Sequence, residues 1–293
     1  FEFFKWVSFV REGVLPQEEL AARLMETEQA LCIVNTRKRA RQIYEMLPEE
    51  GRFHLSTLMV PEDRERALEV IRERLQKGKI CRVVSTSLVE AGVDVDFPTV
   101  WREMTGLDSI LQAAGRCNRE GRRNAEQSIV HVFETEGGIP RGIMQQREAA
   151  IKTMEKYPEI NTRQAIQAYF KRLLMERGDD MLDQKKILNL ERSCMFKQTE
   201  REFRLIDEDT RTVYIPNKEN AADLARLRAG QYSKTLFRRL ARSSVNIYQK
   251  EYLKLVSAAA VEDFDDFGIL IRQDQYNTQC GLSVDAEDGF LMI

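Results

Sequence analysis

Apolar positions in the first half of the chain switch between two periods. ALCIVN (30–35) is a short unbroken apolar run of the buried-strand kind. TRKRARQIYEML follows, with Ala40, Ile43, Tyr44 and Leu47 recurring at helical spacing. FHLSTL (53–58) predicts the next strand. After Pro61 a helix is predicted through about Leu75, with Leu68, Ile71 and Leu75 on one side and Gly78 to end it. CRVVST (81–86), TVWREM (99–104) and SIVHVF (128–133) predict three further strands. Strands separated by helical stretches imply an α/β fold: a parallel sheet with helices on both faces.

The pattern changes at GGIPRG (137–142), whose glycines and proline mark a boundary. Residues 143–192 are mostly helical in pattern. A hairpin is predicted from FRLI (203–206), a DEDT turn and TVYIP (212–216). One amphipathic helix is expected from about Ala221 to Arg242, then short strands near VNIY (245–248) and GILI (268–271). The expected organisation is an α/β lobe over 1–137, a helical linker region over 138–195 and a small α+β accessory domain over 196–293.

Composition bounds the function. A length of 293 residues suits two domains, and 43% hydrophobic with 31% charged residues describes a globular chain. Net charge is −2, so nucleic-acid binding requires local basic patches. FEFFKWVSFV is too short to span a membrane and lacks the basic leader of a signal peptide, so no membrane partner is expected. Five widely spaced cysteines without a CxxC argue against a zinc ribbon or disulfide framework and favour the reducing cytoplasm. Two histidines are too few for a nuclease centre built on several. His131 reads as a structural strand histidine, and Trp6 and Trp101 as packing residues. Because the sequence opens on Phe1, it is expected to begin inside a longer protein.

Parallel α/β sheets place ligands beyond the carboxyl ends of their strands. VVSTSLVEAGVDVDF delivers Thr86, Gly92 and Asp94 there. Glycine permits close backbone approach, and a carboxylate just after it accepts bonds from a ribose or pairs with a cation; a glycine turn in a βα loop explains the same residues as well. In DSILQAAGRCNREGRR (108–123), Ser109 and Gln112 have capping-box spacing, predicting a helix that begins there. Leu111 and Ala114 should face inward, and Gln112, Arg116 and Arg119 toward solvent or the sheet edge.

TSLVEAGVD matches T-x5-G-x-D, and QAAGRCNR matches Q-x-x-G-R-x-x-R, so the chain resembles the second, RecA-like motor lobe of superfamily 2 helicases. The strings LVEAGVDVDF, GLDSI and GRCNREGR narrow this to a resemblance to the CRISPR-associated helicase–nuclease of type I interference systems. LRAGQYSKTLFRRLARSSVNIY and YNTQCGLSV resemble its carboxy-terminal accessory domain. The resemblance is strong to about residue 125 and looser beyond. It implies arginine-finger positions at Arg116 and Arg119, with Gln112 and Gly115 in the same motif, and nucleotide-side positions at Gly92 and Asp94. It also implies a single-stranded DNA path along Asn35, Thr36, Ser56, Thr57 and Thr86, with Arg238 and Arg242 as accessory phosphate contacts. The implied cofactor is ATP with Mg²⁺, shared with a first motor lobe. The implied partners are that lobe, an amino-terminal nuclease, single-stranded DNA and the crRNA-guided surveillance complex.

The chain lacks a G-x-x-x-x-G-K-[ST] loop, and GKI (78–80) is only a fragment of one. Asp207-Glu208-Asp209-Thr210 imitates a helicase magnesium box but follows the other motifs instead of preceding them, and reads as an acidic turn. No metal site is expected on this chain, nor ATP hydrolysis by it alone. Half of a general superfamily 2 helicase, or a non-catalytic DNA- or partner-docking module, are the alternatives.

Overall fold

Leu31 and Ile33 face one side of a sheet, and Ala30, Cys32 and Val34 the other; all five are fully buried. That two-sided burial shows in the computed structural model, which describes residues 6–183, 185–203 and 209–284. Six strands, β1 (Ser8–Leu15), β2 (Gln29–Ile33), β3 (Arg52–Leu55), β4 (Cys81–Ser85), β5 (Thr99–Glu103) and β6 (Ile129–Thr135), lie in the order β1-β6-β5-β2-β4-β3. All their pairings are parallel. Helices α1 (Gln17–Met25) and α2 (Arg37–Met46) cover one face, where Leu20, Leu24, Ala40, Ile43 and Tyr44 meet Cys32, Val84 and Trp101. Helices α3 (Pro61–Gln76) and α4 (Leu107–Ala114) cover the other, where Ile71, Ala113 and Ala114 meet Leu31, Ile33 and Val83.

Local chemistry sets the boundaries. The Thr36 hydroxyl accepts from the Arg39 N–H at 3.2 Å and starts α2. Pro61 opens α3 in the first turn, where its missing donor costs nothing. The sequence reading omitted β1 and α1. β1 is an edge strand with Val10 and Val14 exposed, so it lacks the apolar run of its neighbours.

Helices α5 (Met144–Lys156) and α6 (Arg163–Leu182) pack on α4 through Ala149, Ala150, Met154 and Tyr169. Beyond α7 (Ile187–Arg192) and α8 (Phe196–Glu202), a second sheet has the order β8-β7-β10-β9. Its strands are β7 (Thr210–Tyr214), β8 (Ser244–Tyr248), β9 (Val261–Asp263) and β10 (Phe267–Leu270). β7 runs antiparallel to β8 and parallel to β10. The expected TVYIP, VNIY and GILI strands are therefore present, whereas 204–206 of FRLI and 207–208 of the acidic turn lie outside the described residues.

The single helix expected from Ala221 to Arg242 is two. α9 (Ala221–Arg228) stops before Gly230, which sits at φ +73°, and α10 (Lys234–Leu240) restarts on the Ser233 hydroxyl. A further helix, α11 (Gln249–Ser257), and a short hairpin of β11 (Tyr276–Asn277) and β12 (Gly281–Leu282) complete the described residues. Leu58 and Val60, just beyond β3, are buried in the same cluster as Val213, Ile247 and Leu282 of the second sheet and the hairpin.

Candidate functional site

The loops after β2, β3 and β4 share the carboxyl edge of the parallel sheet and bring Asn35, Thr36, Ser56, Thr57 and Thr86 together. Their side chains differ in availability. Ser56 is fully buried, and its hydroxyl accepts from the Leu58 N–H at 3.3 Å. Thr36 caps α2, and Thr86 is nearly buried with its N–H on the Leu55 carbonyl. Asn35 donates to the Met104 carbonyl at 3.0 Å and accepts from Arg102 at 2.8 Å. Thr57 is exposed.

Gly92, Asp94, Arg116 and Arg119 form a second cluster on the flank of the sheet. The predicted helix carrying both arginines is not what forms: α4 begins at Leu107 and ends at Ala114. Gly106 precedes it because a Cβ there would lie 2.4 Å from Asp108 Oδ1 and 2.6 Å from the Tyr169 hydroxyl. The residue before the helix is Gly106, not the expected Ser109, which lies within the first turn. Leu111 and Ala114 do face inward and Gln112 is exposed, as the spacing predicts. After Gly115 the chain pairs beside Phe97, ahead of β5, and turns at Asn118, which holds φ +47°. The Asn118 amide pins that turn by donating to the Trp6 and Arg123 carbonyls.

The two arginines are held differently. Arg116 is buried, so of the two expected directions it does not take the one toward solvent; its Nε and Nη2 donate to the Val89 and Glu90 carbonyls at 2.8 and 2.7 Å. Burial, then the nearby Arg119 cation, lowers its pKa. Arg119 is half-exposed, with Nε 3.2 Å from Asp94 Oδ1, while its backbone N–H donates to Asp96. Gly92 adopts φ +73°, with open space where a Cβ would project.

Between the two clusters lies an ionic network that the sequence reading missed. Arg102, almost wholly buried in β5, stands 2.9 Å from the Glu90 carboxylate. Its Nη1 donates to Asn35 Oδ1 and to the Ile33 and Glu103 carbonyls. Glu103 accepts from Arg39 at 2.5 Å, from the Asn35 N–H at 2.7 Å and from the Thr135 hydroxyl at 2.9 Å. Burial raises the Glu90 pKa and lowers that of Arg102, and each charge opposes the other's shift. The available signal was the adjacent Arg-Glu of TVWREM in an otherwise apolar strand, since charges buried there require partners.

The remaining candidates lie elsewhere. Arg242 pairs with Glu65 of α3 at 2.7 Å, and Arg238 is exposed on α10. His131 is structural, stacked on Trp101 at 4.0 Å between ring centroids with Nδ1 2.6 Å from Glu12. Among the described residues, no group of three or more His, Cys, Asp or Glu is placed to hold a metal ion. No helix among them is long and apolar enough to cross a membrane.

A parallel six-stranded sheet with these two clusters defines a RecA-like lobe, followed by a smaller mixed sheet. Residues 26–122 match the family described as CRISPR-associated nuclease/helicase Cas3, C-terminal. The CRISPR-associated helicase Cas3 of Thermoproteus tenax is 30% identical over 134 residues, 44% of this chain and 22% of that protein. The crystal structure of T. fusca Cas3 with ATP covers 91% of this chain and 39% of its own, with a TM-score of 0.59 at 14% identity. A chain of a CRISPR RNA-guided surveillance complex, pre-nicking, also covers 91% of this chain and 41% of its own, with a TM-score of 0.55 at 15% identity. Residues 26–122 are thus similar to the C-terminal region of Cas3 nuclease/helicases, and the chain spans well under half the length of the Cas3 proteins it matches.

Proposed function

We propose that this chain is the carboxy-terminal half of an ATP-dependent single-stranded-DNA translocase and nuclease of type I CRISPR interference, acting in the cytoplasm with the crRNA-guided surveillance complex. The observation that carries the reading is the flank cluster: Gly92 leaves room at the backbone, and the Arg119 guanidinium is half-exposed and paired with the exposed Asp94 carboxylate. These residues suit the phosphates and ribose of ATP. In this reading the ligands of Mg²⁺ are supplied by a first motor lobe.

ATP supplies the transferable phosphoryl group. Arg119 would hold the γ-phosphate of bound ATP in place of Asp94, and its fork of N–H donors would match the charge spread over the phosphoryl oxygens. Arg116 keeps its place through two main-chain carbonyls, and its remaining donors would be available to the same anion. Gln112 and Gly115 complete the motif from exposed and half-buried positions. On the carboxyl edge, Thr57 and the nearby backbone N–H groups contact DNA phosphates without reading bases, while Asn35, Thr36, Ser56 and Thr86 shape that edge. Arg238 adds a phosphate contact from the accessory domain; Arg242, paired with Glu65, is the weaker candidate.

Purified alone, the chain should show negligible ATPase, and adding a first motor lobe should restore DNA-stimulated turnover. Robust ATPase from the chain alone would defeat the reading. In the reconstituted protein, Arg119→Ala should lower turnover on the order of 10³-fold while ATP binding persists. Undiminished turnover in both Arg116→Ala and Arg119→Ala would remove the arginines from the chemistry.

A further inference from the structure

Arg102 and Glu90 belong to neither cluster, yet both clusters rest on them. The turn Ser87–Val89 and the residue after it supply the two carbonyls that hold Arg116. That turn is tied to the sheet by the buried Glu90 carboxylate, which meets Arg102 at 2.9 Å. The same guanidinium bonds Asn35 at the carboxyl edge, and Glu103 beside it takes the Asn35 N–H and Arg39. A continuous path therefore runs from Asn35 through Arg102 and Glu90 to Arg116. Every charged member of it is at least nine-tenths buried.

Such burial is not explained by stability. Removing two charges from water costs several kcal/mol per ion, and apolar replacements of a buried pair are often as stable. A planar guanidinium does supply direction: it joins the loop carrying Asn35 through a hydrogen bond to the turn carrying Glu90 through an ion pair. Shifting Asn35 pulls on Arg102, and shifting Arg102 moves the carbonyls under Arg116.

We infer that Arg102 and Glu90 are positioning residues that couple nucleic-acid contact at the carboxyl edge to the placement of Arg116 on the nucleotide flank. Neither touches nucleotide or DNA. The inference rests on the motor reading and adds the element through which the two sites of this lobe communicate. Lysine at 102 keeps the charge beside Glu90 but loses the fork, so it separates charge from geometry. The double variant Glu90→Gln/Arg102→Met removes both charges together and avoids leaving either one buried alone.

The test is the ratio of DNA-stimulated to basal ATPase in the chain reconstituted with a first motor lobe, read beside the thermal midpoint and the Kd for ATP. Arg102→Lys and the double variant should each lower the ratio roughly tenfold or more, a coupling of ordinary allosteric size. ATP Kd should move less than about threefold, since neither residue contacts the ligand. The double variant should melt near the unaltered protein while its ratio stays low, which a merely structural role would not produce. An unchanged ratio in either folded variant overturns the inference, as does a ratio that recovers together with the melting temperature in the double variant. Should the double variant not fold, Arg102→Lys carries the same readings. Absence of DNA-stimulated turnover in the unaltered reconstituted protein defeats the motor reading and this inference with it. Turnover there with an unchanged ratio in the variants defeats the inference alone.

Discussion

His54 shows how position sets the chemistry of a single side chain. It is buried in β3, 5.7 Å from the Tyr44 ring, beside the cleft between α2 and the carboxy-terminal hairpin. Burial, then the Arg41 cation, pushes its pKa down to about 4, so the folded protein holds it neutral. In the unfolded chain it titrates near 6.5. Above that pH both states are neutral and His54 adds nothing to the pH dependence. As pH falls from about 6.5 toward 4, only the unfolded state takes up the proton, so stability is progressively lost. The shift corresponds to a penalty of roughly 3 kcal/mol at its acid limit. Thermal midpoints between pH 7 and 4.5 should fall less steeply for His54→Leu than for the unaltered chain. Parallel curves would show that another group carries the acid sensitivity.

At the scale of elements, the β11–β12 hairpin is a strap over the loop that holds Ser56 and Thr57. Gly281 sits at φ +84°, where a Cβ would approach the Leu58 carbonyl oxygen to 2.3 Å, and the Leu282 N–H donates to that oxygen at 2.8 Å. Tyr276 accepts from the Val60 N–H and donates to Asp63 at 2.7 Å. Gly281→Ala is strained in both conformation and space, so urea denaturation should show a loss of more than about 1 kcal/mol. An unaltered midpoint would mean that the strap is not tightly seated. This contact was illegible in the sequence, because it joins positions brought together only by the finished fold. The helix through Ala40, Ile43, Tyr44 and Leu47 was legible because one apolar stripe specifies both the helix and its buried face. The start of α4 was misread because Gly106, not Ser109, fits beneath Tyr169. The residue types of the flank cluster were readable from two motifs. The difference between an anchored Arg116 and a half-exposed Arg119 was not, since it depends on carbonyls presented by another loop.

At the scale of the whole molecule, the accessory part is joined to the lobe by shared core as well as by surface pairs. Leu58 and Val60 are buried with Val213 and Ile247, and Arg37 and Arg242 form ion pairs with Glu251 and Glu65. Half-exposed pairs such as Arg242–Glu65 contribute little, so the apolar contact is the stronger tie. The order of strands has a consequence of another kind. β1 opens the described chain and pairs only with β6, Ser8 lying opposite Ile129. Its ladder with β6 pairs seven residues, but forming it closes a far longer loop than the β2, β3, β4 and β5 pairings require. The ladder from β3 through β5 should therefore assemble first and β1 should dock last. Native-state hydrogen exchange should find β1 amides opening at lower free energy than those of β2 and β4. Equal protection across all six strands would mean that the sheet assembles and comes apart as one unit.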